Sequence, residues 1–305
     1  MRLVTRSDFD GLVCGMLLKE KGIIESWKFV HPKDLQDGLF DATDDDVLAN
    51  VPYVKGCGLW FDHHVSESER VGWRPEVDGM SRLAPSAARI IYDYYGGKDE
   101  FPPHFSDLVM AADKVDDGNL TAEEILNPTG WVLLGFISDP RTGLGRFRNF
   151  RISNLQLMEE LINHCRKMTI DEILSHPDVK ERVTLYHEQA PLFKDMLLKR
   201  TRIEGNVIVT DLRDVSPIYA GNRFMIYSLF PQQNISCWVV DGRAKINVSI
   251  ACGYSVLNRS AKTNVGKLML QYGGGGHERV GTCQVDCEDA DRVLREIVAT
   301  LRKNG

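Results

Sequence analysis

No Cys-x-x-Cys pair occurs among the seven cysteines, which stand at positions 14, 57, 165, 237, 252, 283 and 287. Thiolates at that spacing are the usual holders of structural zinc, so a zinc ribbon or finger is not expected. An odd, irregular set gives no disulfide framework either and fits a reducing compartment. No apolar run approaches the roughly 20 residues needed to span a bilayer. No apolar signal region precedes the first acidic residues. The sequence therefore predicts a cytoplasmic protein with no membrane partner. Positive charge is not in excess: 37 Lys and Arg against 43 Asp and Glu leave a net charge of −6. That balance argues against coating a long nucleic acid, while leaving room for a local basic pocket. There is no low-complexity tract and no internal repeat.

What is present is ordinary globular composition, 43% hydrophobic and 26% charged, over 305 residues. That length suggests about two domains. Short apolar runs at Leu3–Thr5, Trp27–Val30, Val47–Ala49 and Leu59–Phe61 read as buried strands, separated by longer crossover segments. The pattern predicts an α/β domain with a mostly parallel sheet and flanking helices over 1–150. Helical periodicity follows at 84–95 and 105–115. Residues 151–202, rich in Leu, Met, Glu and Lys, read as a helical linker. Strand character returns at 206–210, and 235–240 and 245–251 flank Asp241-Gly242-Arg243, a hairpin signal. A smaller α/β domain with a mixed sheet is thus expected over 203–305.

Several polar groups fall where chemistry is possible. Asp8 and Asp10 flank one residue on a turn between a strand and a helix, at the sheet edge where open parallel sheets bind ligands. Carboxylates so close repel unless a cation or proton sits between them; the alternative is an acidic loop favoured by the helix dipole. Asp62-His63-His64 follows a strand directly and combines carboxylate with imidazole, a metal-binding set, against the alternative of an exposed polar turn. Asp113, Asp116 and Asp117 close a helix against its dipole and ask for a compensating cation, or form a solvated acidic end. Gly273-Gly274-Gly275-Gly276-His277 suits close approach of backbone N–H groups to a phosphate, or a flexible linker. Arg259 and Ser260 lie upstream and could add a cation and a hydroxyl. Arg141, Arg146, Arg148 and Arg151 either clamp an anion or form a solvated face.

Taken in this order, these motifs resemble the DHH phosphoesterase family, over nearly the whole chain and on its exopolyphosphatase-like side. Asp8-Phe9-Asp10-Gly11 is similar to the first motif, Asp62-His63-His64 to the third and Asp113 to the fourth, with Asp139 a second candidate for the fourth. Gly273–His277, followed by Gly281-Thr282, is similar to the glycine-rich signature of the DHH-associated C-terminal domain. The resemblance implies two domains facing across a cleft, with Mn²⁺ or Mg²⁺ on the first and substrate contacts on the second. It implies a metal-dependent hydrolase of phosphoanhydrides or short nucleotide phosphodiesters. Its substrates would be polyphosphate, pyrophosphate, short oligoribonucleotides, cyclic dinucleotides or 3′-phosphoadenosine 5′-phosphate.

Two positions depart from the family pattern. Arg6 stands where a histidine is usual, and Asn50 where the second motif supplies an aspartate that bridges two metals. The expectation is one divalent ion rather than two, held by Asp8, Asp10, His63 and Asp113, with the Arg6 guanidinium near the vacated position. In that scheme Asp62 and His64 assist the reaction, while Arg259, Ser260, Gly274, Gly275, Gly276 and His277 hold the substrate. Asn50, Asp116, Asp139 and Arg146 are secondary candidates. The alternative is a catalytically impaired protein that binds a nucleotide or phosphate. A small phosphorylated substrate or short oligonucleotide is the expected partner, and the sequence is compatible with a homodimer.

Overall fold

The computed structural model describes residues 1–64 and 77–304. In chain order the first elements are β1 (Arg2–Thr5), α1 (Phe9–Glu20), β2 (Ser26–Phe29), α2 (Pro32–Gln36), β3 (Asp46–Ala49), β4 (Leu59–Asp62), β5 (Asp78–Ser81), α3 (Ala87–Tyr94) and α4 (Phe105–Asp117). The helices α5 (Ala122–Leu126), α6 (Gly130–Ser138), α7 (Asn154–Lys167), α8 (Ile170–Ser175) and α9 (Pro177–Arg200) follow. Then come β6 (Thr201–Glu204), β7 (Val207–Asp211), α10 (Met225–Leu229), β8 (Ile235–Asp241), β9 (Asn247–Tyr254), α11 (Val265–Leu270), β10 (Gly275–Gly276), β11 (Val280–Asp286) and α12 (Ala290–Asn304). The chain divides into two compact units: 1–119 with 127–186, and 120–126 with 187–305. No helix among the described residues is long and apolar enough to cross a membrane.

The first unit is built on a five-stranded, all-parallel sheet of order β2-β1-β3-β4-β5. Its central strands are mainly apolar because both faces are covered. Successive side chains alternate between two cores. Leu3, Val47, Ala49 and Phe61 pack with residues of α1, α3, α4 and α7; Val4, Leu48 and Trp60 pack with Leu35, Val51 and Cys57. The four strands legible in the sequence are all present. β5 carries no such signal: Asp-Gly-Met-Ser has one apolar residue, Met80, and no β-branched or aromatic one, and it pairs at the sheet's edge. The helices of 154–186 belong to this unit, with Leu161, Ile162, Cys165, Ile173 and Val179 buried in its core.

The parallel arrangement brings the C-terminal ends of β1, β3 and β4 to one edge. Arg6, Asn50 and His63 each follow the last residue of one of these strands. That edge carries the polar residues considered below.

The second unit holds a six-stranded mixed sheet, order β10-β11-β9-β8-β7-β6, in which only β7 and β8 run parallel. Val293, Leu294, Ile297, Val298 and Leu301 of α12 and Val265, Leu268 and Met269 of α11 bury its core. β8 and β9 form the hairpin signalled by Asp241-Gly242-Arg243. The glycine-rich segment is part of this sheet rather than a linker. Gly275 and Gly276 pair with Thr282 and Gly281 of β11. A Cβ on Gly274 would lie 2.1 Å from the Thr282 carbonyl oxygen, and one on Gly276 would lie 2.2 Å from that of Val280. A Cβ on Gly275 would meet nothing within 4 Å.

Gly274→Ala is therefore expected to cost about 2 kcal/mol or more, since backbone atoms cannot yield as a flexible side chain would. Gly275→Ala should melt with the wild type. Urea unfolding of both variants checks this, and equal losses in the two would contradict the assignment.

Candidate active site

Asp8 caps the N-terminus of α1. Its Oδ1 accepts the Gly11 N–H at 3.0 Å and the Asn50 side-chain amide at 3.0 Å, and its Oδ2 lies 3.1 Å from Arg6 Nε. Gly11 is required there: a Cβ would stand 2.1 Å from the Arg6 carbonyl oxygen. Asn50 adopts φ 56°, a left-handed conformation that Asn tolerates better than most residues. Burial pushes the Asp8 pKa up, and the Arg6 charge opposes that. Both oxygens of Asp8 are thus engaged by donors of the protein itself.

Asp10, two residues on, is buried and reaches across to α3. Its oxygens accept the first two N–H groups of that helix, Ala87 N at 2.9 Å and Ala88 N at 2.8 Å. These donors favour the carboxylate. Burial, then the charges of Asp116 and Asp8, act the other way and raise its pKa well above the ordinary value.

His63 lies beside Asp10 and Asp116. Its Nδ1 is 3.2 Å from the Ala84 carbonyl oxygen, which can only accept, so Nδ1 carries a proton, and in the neutral ring Nε2 presents its lone pair. Nε2 is buried without a hydrogen-bond partner among the described residues, 3.3 Å from Asp116 Oδ2 and 3.8 Å from Asp10 Oδ2. A lone pair facing two carboxylate oxygens is repulsive unless a cation or proton lies among them. The ligand atoms of Asp10, His63 and Asp116 all lie within 4.8 Å of one another, the one such group of His, Cys, Asp and Glu among the described residues. Beside it is a cavity of about 10 Å³, lined by Asp8, Asp10, Asp116, Asp139 and Arg141 among others. That is about the space of one water or ion. One imidazole with two carboxylates fits Mn²⁺ or Mg²⁺, and a backbone carbonyl fixing the ligand tautomer is the usual outer support.

The remaining sequence candidates fall into three groups. Asp113 is not with His63: Arg89 Nε and Nη2 hold its Oδ2 at 2.9 and 2.7 Å, and Ser86 Oγ donates to its Oδ1 at 2.7 Å. Asp116, one turn further along α4, occupies the place expected for Asp113. The helical phase carried that signal, since Asp116 continues the buried line of Phe105, Val109 and Ala112, whereas Asp113 stands at its flank. Asp62 orients His64, its Oδ1 accepting from His64 Nδ1 at 2.9 Å. Burial disfavours the His64 cation, but the Asp62 hydrogen bond and the charges of Asp62, Asp116 and Asp10 outweigh it and push the pKa up to about 9. In the second unit His277 is exposed, with its backbone N–H on the Val280 carbonyl at 2.7 Å. Arg259 Nε donates to the Val256 carbonyl at 3.2 Å, and Ser260 joins Asn234 and Asn258. Asp139 is buried against Arg141. Arg146 is exposed and packs over Gly143.

Among solved structures, the chain is similar to a pGpG-specific phosphodiesterase, PggH from Vibrio cholerae. The two share 48% identity over 100% of this chain and 99% of the other, with a TM-score of 0.87. The chain belongs to the DHH phosphoesterase family. This DHH phosphoesterase is a phosphoester hydrolase. It is also similar in fold to the DHH domain of a protein assigned to a family of ribosomal proteins (13% identity, 99% and 87% of the two chains, TM-score 0.59). The same holds for RecJ in complex with Mn²⁺ from Thermus thermophilus (13% identity, 99% and 52%, TM-score 0.50). No family model and no curated protein matches the sequence.

Two variants of this DHH phosphoesterase separate the carboxylates. Asn50→Asp replaces an amide donor with a carboxylate against Asp8 Oδ1 and is expected to cost about 1–3 kcal/mol, read by urea unfolding in EDTA. Asp116→Asn places an amide donor near the His63 lone pair. In EDTA it should be as stable as wild type or more stable by up to about 1 kcal/mol, while losing the stabilisation that added Mn²⁺ gives. A large loss of metal-free stability in Asp116→Asn would contradict the repulsion described.

Proposed function

We propose that this chain is a phosphodiesterase that hydrolyses a short linear dinucleotide of the pGpG kind to mononucleotides, using one divalent ion. The similarity to PggH over both whole chains, at 48% identity, carries the reading. The net charge of −6 is compatible with a small substrate and unfavourable to a long polyanion.

Asp10, His63 and Asp116 would hold the ion, since these three present ligand atoms to one point. Asp8 is already matched by Arg6, Asn50 and Gly11, which supports one ion rather than two. When bound, the ion would polarise the phosphate and acidify a water to a nucleophile. The chain's own work is positional. Ala84 keeps the proton of His63 on Nδ1, and the α3 N–H groups hold the Asp10 carboxyl group in place. Asp62 holds His64 through Nδ1 and would orient it as a proton donor to the leaving oxygen. Residues 1–150 would form the metal-binding catalytic part and 203–305 the substrate-binding part, with Arg259, Ser260, Gly274, Gly275, Gly276 and His277 as the substrate contacts.

The test is chromatography of nucleotides after incubation with pGpG and Mn²⁺, with polyphosphate, a cyclic dinucleotide and 3′-phosphoadenosine 5′-phosphate in parallel. Mononucleotide release from pGpG, abolished by EDTA, is expected, together with one tightly held metal equivalent per chain. Saturable binding of pGpG without turnover would favour a nucleotide-binding protein instead. Two tightly held equivalents would overturn the single-ion reading.

A further inference from the structure

Arg141 lines the same small cavity as Asp8, Asp10 and Asp116, and nothing in the metal set requires it. One edge of its guanidinium is fixed. Nε donates to both oxygens of the buried Asp139, at 2.8 and 3.1 Å, and the Arg141 backbone N–H donates to Asp139 Oδ1 at 2.8 Å. Asp139 is itself held, because it caps the short turn Pro140–Thr142, and Thr142 Oγ1 ties that turn to the Phe136 carbonyl at 2.6 Å. The other edge is different. Nη1 and Nη2 make no hydrogen bond among the described residues. The side chain is 44% exposed and borders the cavity.

A guanidinium offers donors on more than one edge. With Nε committed to a carboxylate, Nη1 and Nη2 present a planar fork that matches two oxygens of a phosphate. An arginine serving only to neutralise Asp139 has no need of that fork. Lysine would neutralise it as well, and amidation of Asp139 would remove the need altogether. Arg6, the other arginine of the site, is engaged with Asp8.

We propose that Arg141 is a catalytic residue that takes the non-bridging oxygens of the scissile phosphate through Nη1 and Nη2, and that Asp139 is its positioning residue. This rests on the phosphodiesterase reading above. Negative charge on those oxygens grows in the transition state, so a fork already aimed at them acts on kcat as well as on KM.

Steady-state kinetics on pGpG with Mn²⁺ test it. Arg141→Ala should lose about 100-fold or more in kcat/KM, with kcat carrying part of the loss. Arg141→Lys, which keeps the charge but not the fork, should remain at least about tenfold below wild type. Asp139→Asn should lower kcat about tenfold while leaving the far-ultraviolet circular dichroism unchanged. Wild-type kcat/KM in Arg141→Ala or Arg141→Lys would overturn the proposal, and the lysine variant serves should the alanine variant fail to fold. A second readout does not need turnover: equilibrium binding of inorganic pyrophosphate to metal-free protein should weaken about tenfold or more in Arg141→Lys. Equal affinity in both proteins, or no saturable binding by the wild type, overturns the proposal. Should the wild type leave pGpG intact, the dinucleotide reading fails, and the pyrophosphate measurement alone decides Arg141.

Discussion

Two carboxylates buried at one end of a parallel sheet have to be neutralised, and the first unit is arranged around that requirement. Asp8 and Asp10 stand at the start of α1 because β1 ends there and Gly11 lets the turn close against Arg6. An ionised carboxylate removed from water is costly unless it is paired or hydrogen-bonded. The protein meets this cost in two ways. Asp8 receives an arginine, an amide and a backbone N–H. Asp10 receives two helix N–H groups but also faces the His63 lone pair and Asp116. The first arrangement is complete with protein atoms. The second brings two carboxylates and an imidazole nitrogen to one point, and a cation would complete it.

The departures at Arg6 and Asn50 acquire their meaning from the same contrast. Each puts a donor on Asp8 where the family pattern has a metal ligand. The two changes work together. An arginine beside an aspartate at position 50 would bring a further buried carboxylate, and a histidine beside Asn50 would give Asp8 weaker support. In the second unit the constraint is steric instead. Gly274 and Gly276 permit β10 to lie against β11, while Gly275 meets no protein atom where a side chain would stand.

Much of this was legible beforehand. The strands β1, β3 and β4 announced themselves as apolar runs ending in polar turns, and Asp10 and His63 follow from their places at those ends. Asp113 reads from the sequence as the fourth-motif carboxylate, with Asp139 as the second candidate and Asp116 only a secondary one, because distance along the chain stands in for direction in space. Residues three apart on a helix differ in direction by about 60°. That turns Asp113 onto Arg89 and Asp116 onto His63. β5 escaped notice because its four residues carry no strand pattern of their own and are ordered only by β4.

The sequence by itself determined the two-sheet α/β plan, the edge at which polar groups collect, and which residue types collect there. Alternation and strand ends are local properties, so a linear reading reaches them. Tertiary structure decided which carboxylates meet which imidazole nitrogen, and how Arg6 and Arg141 are engaged. The partners that fix those choices come from distant parts of the chain: Ala84 for His63, Ala87 and Ala88 for Asp10, Asn50 for Asp8. Only the packing of α1, α3 and α4 on the sheet brings these partners within hydrogen-bonding distance.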